Sequence, residues 1–506
     1  MATNRCRTAS IALSLFACFS STIALAIPGQ PGTLDGAWAT LSTLGPGKAI
    51  TPVGADDDKA YAIALQPDGK VVLVGTCRTA IDLDFCALRY NANGTVDTSF
   101  GSGGSVTTSL GTSDDWANGV AVQPDGKIVL AGLCVNGATV DFCALRYNAN
   151  GTLDTSFGSG GKVITPVDTV DDYAKALILQ PDGKIVLAGN CFNGTNSSFC
   201  AVRYNANGTL DASFGTAGKV ITPVGTFTSA ASALALQPDG KLVLAGSCSN
   251  GTNDDFCALR YNANGTPDSS FGSAGKVFAA VGTGLDDATA LALQPDGKLV
   301  LSGYCYVGIN ADFCALRLNT NGTLDTSFGI AGKVITPVGT GNDFVQALAL
   351  QPDGKLVLAG RCFNGTDDDF CALRYSANGS LDTTFGGGGK VITQVSSGND
   401  DIANAIALQP DGKLVLAGSC GGAATIDFCA IRYDGGPFGY KACTPDLDGD
   451  GLMTATVDGL INMRVMLGMT GNAVVNGITF PPTATRNTWP LIRDYLVTQC
   501  GMSLVQ

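Results

Sequence analysis

A seven-fold internal repeat constrains the fold of this 506-residue chain more than any other feature. The motif Gln-Pro-Asp-Gly-Lys recurs at intervals of 57 residues, with one final interval of 58. It begins at Gln66, Gln123, Gln180, Gln237, Gln294, Gln351 and Gln409. A period of this length is typical of propellers and solenoids, in which each unit buries its apolar surface only against its neighbours.

Each unit contains four short segments with strand character. In the third unit they are residues 162–167, 174–180, 184–191 and 199–205, with a Pro-Asp-Gly turn between the second and the third. Segment 184–191 is apolar at consecutive positions, which is typical of a strand buried on both faces. The sequence therefore predicts an all-β fold, a seven-bladed β-propeller of four-stranded blades.

The two ends of the repeat region complement each other. Six units end in Asn-Gly-(Thr/Ser)-x-Asp-x-(Ser/Thr)-Phe, but the seventh lacks this motif after Tyr433. The N-terminal region supplies a copy at residues 32–35, with Trp38 in the Phe position. We therefore expect residues 32–38 to complete the last blade and close a propeller spanning residues 27–440. An open β-solenoid, the alternative, requires atypical capping units.

The cysteines follow the repeat. Fourteen of the 18 form pairs nine residues apart, at the end of the third segment and the start of the fourth, within disulfide reach in a hairpin. The pairs are Cys77 with Cys86, Cys134 with Cys143, Cys191 with Cys200, Cys248 with Cys257, Cys305 with Cys314, Cys362 with Cys371, and Cys420 with Cys429. We expect a disulfide in each blade that pins the outermost strand, and a further pair from Cys443 and Cys500. The spacing does not favour metal thiolates.

Residues 1–26 have the features of a secretory signal peptide: Arg5 and Arg7, an apolar stretch, and the small-residue site Ala24-Leu25-Ala26. Lipoprotein processing at Cys18 is the alternative. No later apolar run is long enough to span a membrane. We expect a secreted protein that is extracellular, on the cell surface or periplasmic.

Composition excludes several chemistries. The chain has no histidine, and all 43 acidic residues are aspartates. Histidine-activated nucleophiles, histidine metal sites and glutamate acid–base pairs are therefore absent. The net charge of −13 argues against nucleic acid or an anionic membrane as a partner.

Two charged features recur by unit. An arginine in the fourth segment, such as Arg146, either lines an anion site or pairs with a repeat aspartate such as Asp154; we favour the structural pair. Paired aspartates precede the second segment, either as a cation-binding rim or as solvated turns, and we favour the turns. They are Asp57-Asp58, Asp114-Asp115, Asp171-Asp172, Asp286-Asp287 and Asp400-Asp401.

Residues 32–436 resemble the delta-60 repeat family of exported bacterial proteins. The resemblance rests on Gln-Pro-Asp-Gly-Lys, Leu-Ala-Gly, Phe-Cys-Ala-Leu-Arg-Tyr-Asn and Gly-Thr-Leu-Asp-x-x-Phe-Gly, although the cysteine departs from the usual pattern. It implies a propeller-like array in an exported protein and no particular activity.

The repeat stops near Pro437, and residues 441–506 form a different region. Its Asp-Leu-Asp-Gly-Asp-Gly stretch resembles the calcium loop of EF-hands and dockerins. The expected calcium ligands are Asp446, Asp448, Asp450, Leu452 through its carbonyl, Thr454 and Asp458. Asp458 falls one position late, and a second such loop, usual in dockerins, is absent from the sequence. We expect a small α-helical calcium-binding domain; an Asx-rich turn without an ion is the alternative.

These features predict a secreted, monomeric, non-enzymatic binding or structural protein. The propeller would be an interaction platform for an unknown protein or glycan, with calcium bound at the C-terminal module. One alternative is a cation-dependent hydrolase or lyase that uses aspartates at the propeller mouth. Another is a lectin-like glycan binder, although the three tryptophans do not recur by blade.

Overall fold

The computed structural model describes residues 30–436, apart from 41, 43 and 422–424, and beyond them only 457, 461, 472–476, 478–480, 488 and 491–492. The described residues include 28 strands and the short helix α1 (Asn472–Val475). Within that part of the chain, no helix is long and apolar enough to cross a membrane. The predicted signal peptide lies outside the described residues.

The strands form seven antiparallel four-stranded sheets, the blades of the propeller. Blade 1 comprises β2 (Asp58–Leu65), β3 (Val71–Arg78), β4 (Leu83–Tyr90) and β5 (Ser105–Thr108). Blade 2 comprises β6 (Asp115–Val122), β7 (Ile128–Asn136), β8 (Thr139–Tyr147) and β9 (Lys162–Thr165). Blade 3 comprises β10 (Asp172–Leu179), β11 (Ile185–Phe192), β12 (Ser197–Tyr204) and β13 (Lys219–Thr222).

The remaining blades repeat this arrangement. Blade 4 comprises β14 (Ser229–Leu236), β15 (Leu242–Ser249), β16 (Asp254–Tyr261) and β17 (Lys276–Ala279). Blade 5 comprises β18 (Asp286–Leu293), β19 (Leu299–Val307), β20 (Asn310–Leu318) and β21 (Lys333–Thr336). Blade 6 comprises β22 (Asp343–Leu350), β23 (Leu356–Phe363), β24 (Asp368–Tyr375) and β25 (Lys390–Thr393). Blade 7 comprises β26 (Asp401–Leu408), β27 (Leu414–Gly421), β28 (Ile426–Tyr433) and β1 (Lys48–Thr51).

The first strands of neighbouring blades contact each other around the ring, and β2 contacts β26 in the same way. The first strands therefore line the central channel, and the ring is closed. The short fourth strand is the outermost. It follows the third strand of its own blade after a long loop. Residues 162–165, which the sequence places at the start of the third unit, therefore complete blade 2.

The N-terminal region closes the ring, as the sequence predicts. Strand β1 pairs antiparallel with β28, from Lys48 opposite Ile431 to Thr51 opposite Phe428. Ahead of it, Leu34 forms a β-bridge with Tyr433. Residues 32–38 therefore take the place of the missing motif, and the fourth strand that follows them completes blade 7.

Apolar residues pack between neighbouring blades. The second and third strands are buried on both faces, as the unbroken apolar run in the sequence predicts. Each first strand carries a β-bulge, between Ala174 and Ala176 in blade 3. The bulge brings the carbonyl of Tyr173 close to Gly189, where an added Cβ would lie 1.9 Å from the carbonyl oxygen. The glycine of each Leu-Ala-Gly run is therefore required by packing.

All seven predicted blade disulfides are present, and their cysteines are buried. In blade order they join Cys77 to Cys86, Cys134 to Cys143, Cys191 to Cys200, Cys248 to Cys257, Cys305 to Cys314, Cys362 to Cys371, and Cys420 to Cys429. The pairing that the sequence predicts is therefore confirmed in every blade. Each bond indicates a location outside the reducing cytosol.

The position of these disulfides within the blade differs from the prediction. They join the second strand to the third, so the expectation that they pin the outermost strand is wrong for all 14 cysteines. The two cysteines of a blade also do not lie opposite each other: Cys191 pairs with Ser198 and Cys200 with Gly189. Each bond therefore joins diagonal neighbours on the two central strands. The outermost strand is not pinned because it comes from a later part of the chain.

Candidate functional site

The propeller has two rims. At one rim the seven blades carry nearly the same residues, and at the other their residues differ. The constant rim contains the Gln-Pro-Asp-Gly-Lys turns and the loops after the third strands, which are residues 66–70 and 91–104 in blade 1. The variable rim contains the hairpins between the second and third strands and the loops that lead into the first strands, which are residues 79–82 and 109–114 around blades 1 and 2.

The repeated arginines belong to the constant rim. Arg146 Nε lies 2.7 Å from Asp154 Oδ2, and its Nη1 donates a 2.6 Å hydrogen bond to the carbonyl of Ala206 in the next blade. Its guanidinium also stacks 4.8 Å from the ring centroid of Phe157. The same aspartate binds Lys127 at 3.0 Å. Equivalent ion pairs occur for Arg89, Arg203, Arg260, Arg317, Arg374 and Arg432.

These contacts confirm the structural interpretation of the arginines. Burial alone raises the pKa of Asp382, but the hydroxyl and backbone N–H of Thr384, Lys355 and Arg374 together lower it to about 2. The aspartate is therefore ionised at neutral pH, and the arginine beside it is committed to an internal ion pair. The constant rim ties neighbouring blades together and offers no ring of free cations.

The prediction of solvated turns is wrong for one aspartate of each pair. The aspartate that begins each first strand is fully buried, as Asp172 is. Its Oδ2 accepts hydrogen bonds from the backbone N–H groups of Val167, at 2.6 Å, and Asp168, at 3.1 Å. Burial raises the pKa of Asp172 to about 6, the two N–H groups oppose that shift, and the charge of Asp141 adds to it. In blade 4 Ser229 takes this position and accepts from Gly225 at 2.8 Å.

The preceding aspartate links neighbouring blades. Oδ1 of Asp114 accepts a 2.9 Å hydrogen bond from the backbone of Leu83, at the start of the third strand in the previous blade. Asp171, Asp400 and Asp57 accept from Val140, Asp368 and Ile426 in the same way. Among the described residues, no group of three or more cysteines and aspartates is arranged to hold a metal ion. In blades 1, 2, 3 and 7 both aspartates therefore have a structural explanation. In blade 5 the pair is shifted by one position, so that Asp286 begins the first strand and Asp287 follows it.

Differences between the blades concentrate at the variable rim. In blade 1 they fall at Lys59, Tyr61, Thr76 and Arg78, and Lys59 lies opposite Thr76 in the sheet. The first of these positions carries a different residue in every blade. In blade order the four sets are Lys59, Trp116, Tyr173, Ala230, Asp287, Phe344 and Ile402; Tyr61, Asn118, Lys175, Ser232, Thr289, Gln346 and Asn404; Thr76, Leu133, Asn190, Ser247, Tyr304, Arg361 and Ser419; and Arg78, Val135, Phe192, Ser249, Tyr306, Phe363 and Gly421.

Aromatic and charged side chains meet at this rim on blades 5 and 6, in a cluster we call the blade 5–6 patch: Asp287, Tyr304, Tyr306, Phe344 and Arg361. Tyr304 donates a 3.1 Å hydrogen bond to Asp287 and packs edge-on against Phe344, with centroids 4.9 Å apart. Tyr306 packs edge-on against Tyr304 at 6.4 Å. The guanidinium of Arg361 lies 4.5 Å from the Phe344 centroid.

The patch continues into the channel. Burial raises the pKa of Asp287, which the hydrogen bond from Tyr304 opposes and the charge of Asp254 reinforces. Lys175 of blade 3 is accessible to solvent but surrounded by the channel wall, so desolvation lowers the pKa of its amine while Asp287 raises it. Shifted titratable groups in a concave, asymmetric setting mark this mouth as the candidate functional site.

Three perimeter grooves do not mark a specific site. They lie between blades 5 and 6, between blades 1 and 2, and between blades 7 and 1. Tyr375, Tyr147 and Tyr90 line them at equivalent positions of the repeat. A groove that recurs with the repeat follows from blade packing.

The predicted calcium ligands Asp446, Asp448, Asp450, Leu452, Thr454 and Asp458 lie outside the described residues, as do Cys443 and Cys500. The predicted calcium site and this last cysteine pair therefore stay predictions. The blade 5–6 patch was missed by sequence reasoning, although its signal was present. Aligning the seven units position by position shows where they differ, whereas the search for a motif shows only where they agree.

The fold and its contacts define a closed seven-bladed β-propeller with one disulfide per blade. Six segments match the family described as "Domain of unknown function (DUF5122) beta-propeller": residues 66–100, 123–157, 180–214, 237–271, 294–328 and 351–385. The repeats of this chain thus fit a propeller repeat family. Each matched segment ends at the phenylalanine that stacks on an arginine; in blade 7 Trp38 supplies that ring from the other end of the chain.

No curated protein matches the sequence. Among solved structures, a catalytically inactive virginiamycin B lyase from Staphylococcus aureus with quinupristin is 13% identical, with a TM-score of 0.46, over 76% of this chain and 98% of the lyase. Sqt1 from Chaetomium thermophilum is 13% identical, with a TM-score of 0.39, over 76% and 98%. A polysaccharide lyase described as an ulvan lyase is 11% identical, with a TM-score of 0.42, over 77% and 97%. These similarities concern the fold alone.

Proposed function

We propose that this protein is an exported, non-enzymatic binding protein that recognises its partner at the variable rim of the propeller. The observation that carries the proposal is the uneven distribution of differences between the blades. The contacts of the constant rim are repeated in every blade because each one holds two blades together. The side chains at the four variable positions differ from blade to blade, so they are not held to one repeated contact, and on blades 5 and 6 they form an aromatic and charged surface.

The C-terminal region, residues 441–506, would serve as a calcium-binding attachment module. Asp446, Asp448 and Asp450 supply hard oxygen ligands in the spacing of a calcium loop. Chelation would therefore remove the ion from the module without changing the propeller. The signal-peptide features of residues 1–26 and the disulfides support export.

The test is a capture experiment with the mature full chain, immobilised and exposed to envelope and medium fractions of the producing cells. Tyr304→Ser with Tyr306→Ser gives blade 5 the residues of blade 4, Ser247 and Ser249, so the framework is preserved. Asp182→Asn is the matched control on the constant rim. A partner lost with the double variant and kept by the control supports binding at the variable rim; a partner kept by both contradicts it.

Calcium is tested in the same experiment. Capture that is lost in chelator, and equally with Asp448→Ala, would assign attachment to the C-terminal module. Capture that persists in both conditions and requires the tyrosines would assign it to the propeller. Isothermal titration with calcium alone reports directly whether Asp448→Ala removes an ion site.

A second candidate is an acid–base enzyme at the same mouth, favoured by the opposed pKa shifts of Asp287 and Lys175. In that case the captured molecule would be altered by the wild-type protein. Mass spectrometry of the partner after incubation separates the two functions. A covalent change produced by the wild type and not by Asp287→Asn would establish catalysis; an unchanged partner would support binding.

A further inference from the structure

We propose that the variable rim around blades 4 to 6 binds a positively charged, extended protein segment rich in lysine or arginine. This inference rests on the proposed function and names the partner chemistry of the same surface. It draws on the distribution of charge, the pairing of aromatic rings with carboxylates, and the exposed apolar side chains that flank them.

Charge is distributed unequally between the two rims. The constant rim is nearly neutral: its turn lysines and buried arginines total 14, against 15 aspartates when Asp434 is included. The other charged residues of 30–436 are 23 aspartates and 10 lysines or arginines. The negative charge of the propeller therefore lies away from the constant rim, and it attracts cationic segments while repelling phosphate, sulfate and acidic sugars.

The blade 5–6 patch contains an internal example of the recognition we propose. The guanidinium of Arg361 lies 4.5 Å from the Phe344 centroid, and its Nη1 lies 3.0 Å from Asp368 Oδ2. An aromatic face and a carboxylate thus hold one cation together. Tyr304 and Tyr306 offer rings next to the carboxylate of Asp287, so the same combination is repeated one blade away.

The carboxylate of Asp287 is only partly neutralised within this patch. Its Oδ2 accepts the hydrogen bond from Tyr304, its Oδ1 is buried without a hydrogen bond of normal geometry, and Ser247 is the only other side chain that helps to lower the pKa of this carboxyl by hydrogen bonding. The ionised form of a buried carboxylate is costly, and a guanidinium or ammonium group held against the neighbouring rings would lower that cost through its opposite charge. The charge of Asp254 adds to the attraction.

Exposed apolar side chains lie beside these charges. Phe227 is 59% exposed and Leu285 is 40% exposed, in the loops that lead into blades 4 and 5. Ile309, in the hairpin of blade 5, is 90% exposed. Such residues next to aspartates fit the aliphatic stems of lysine and arginine, whose charged ends reach the carboxylates.

The experiment uses the mature full chain and two synthetic 12-residue peptides, one with lysine and the other with glutamate at alternate positions, at low and at physiological salt. We expect binding of the lysine peptide only, weakened by roughly 10-fold or more at the higher salt because the attraction is screened. Tyr304→Ser with Tyr306→Ser should weaken it by a further 10-fold or so, the scale of one or two cation–π contacts. Asp182→Asn on the constant rim should leave it unchanged.

Equal binding of the two peptides, affinity that does not respond to salt, or a double variant that binds like the wild type would each overturn the inference. The proposed function has a separate readout. Loss of the natural partner with the double variant, combined with no binding of the lysine peptide, would preserve the variable rim as the binding surface. A neutral partner, such as an uncharged glycan, would then replace the cationic segment.

Discussion

Arg432 and Asp35 are 397 positions apart in the sequence and form one ion pair, with Asp35 Oδ2 2.8 Å from Arg432 Nε and 2.6 Å from its Nη2. In the other six blades the corresponding pair spans only eight residues, as in Arg146 and Asp154. The same contact that stabilises each blade internally thus joins the two ends of the repeat region. Closure of the ring uses no special interface.

Asp35→Asn should therefore open the ring at blade 7. It leaves a buried arginine without its carboxylate, which typically costs about 3–5 kcal/mol of unfolding free energy. Chemical denaturation measures the loss, and limited proteolysis should show new cleavage between residues 36 and 47. Asp97→Asn removes the equivalent carboxylate within blade 1 and should not expose that segment. Equal proteolysis of the two variants would refute a closing role for Asp35.

A tyrosine–threonine hydrogen bond links neighbouring blades and has an apolar equivalent in the same molecule. Tyr261 Oη lies 2.8 Å from Thr222 Oγ1, whereas one repeat later the two positions are Leu318 and Ala279. Thr222→Ala should cost about 1–3 kcal/mol, because it leaves a buried hydroxyl without its partner. In the Thr222→Ala variant, Tyr261→Leu should cost less unfolding free energy than it costs in the wild type, with a coupling of about 1 kcal/mol in a double-mutant cycle. Strictly additive losses would contradict this.

Stability should rise as the pH falls from 7 to about 5. The pKa of Asp172 is raised to about 6 by burial, so the folded state binds this proton more tightly than the unfolded state, whose ordinary value is 3.8. The ionised carboxylate therefore costs up to about 3 kcal/mol at pH 7, and this cost disappears on acidification. Below about pH 4 the trend reverses, because Asp35 and Asp382, with lowered pKa values, lose their ion pairs on protonation.

Asp172→Ser tests the origin of this rise, since Ser229 occupies the same position in blade 4. Thermal unfolding between pH 4 and 7 should show a smaller increase on acidification for the variant than for the wild type. Asp182→Asn, an exposed aspartate on a turn, should follow the wild-type profile. A rise that is the same in all three proteins would remove Asp172 as its cause.

The blade disulfides should protect their cysteines from alkylation. Fourteen buried cysteines form seven bonds, and each bond closes a short loop worth roughly 2–3 kcal/mol in the chain-entropy model. Peptide mapping of the exported protein should find none of the 14 labelled before reduction and all of them labelled after reduction and unfolding. Labelling of an unreduced blade cysteine would contradict that pairing. Cys191→Ala with Cys200→Ala should lower stability without unfolding the other blades.

Much of the fold could be predicted because the residues that determine it recur in each of the seven units. Four strand segments per unit, the paired cysteines and the arginine–aspartate pair all follow from residues that recur at one spacing. The blade to which each fourth strand belongs could not be predicted in this way. Residues 162–165 stand at the start of a unit in sequence, and only their pairing with β8 shows that they complete the previous blade.

The surroundings of individual side chains, including those of the candidate site, were harder to predict for a physical reason. Asp172 in a Val-Asp-Asp stretch has the composition of a solvated turn, and only the structure shows its carboxylate accepting two backbone N–H groups in the interior. Tyr304 and Phe344 belong to different units, 40 residues apart in the chain. Their contact depends on how two blades face each other, and no single repeat contains that information.

Because the two ends of the repeat region meet in blade 7, the break between them could equally lie in another blade. Gly32 N donates a 2.6 Å hydrogen bond to the carbonyl of Asp434, so a short linker could join these points. The break could then be moved to the loop after the third strand of any other blade, where the equivalent arginine pair would become the closing contact. A circular permutant opened at blade 3 would close through Arg203 and Asp211.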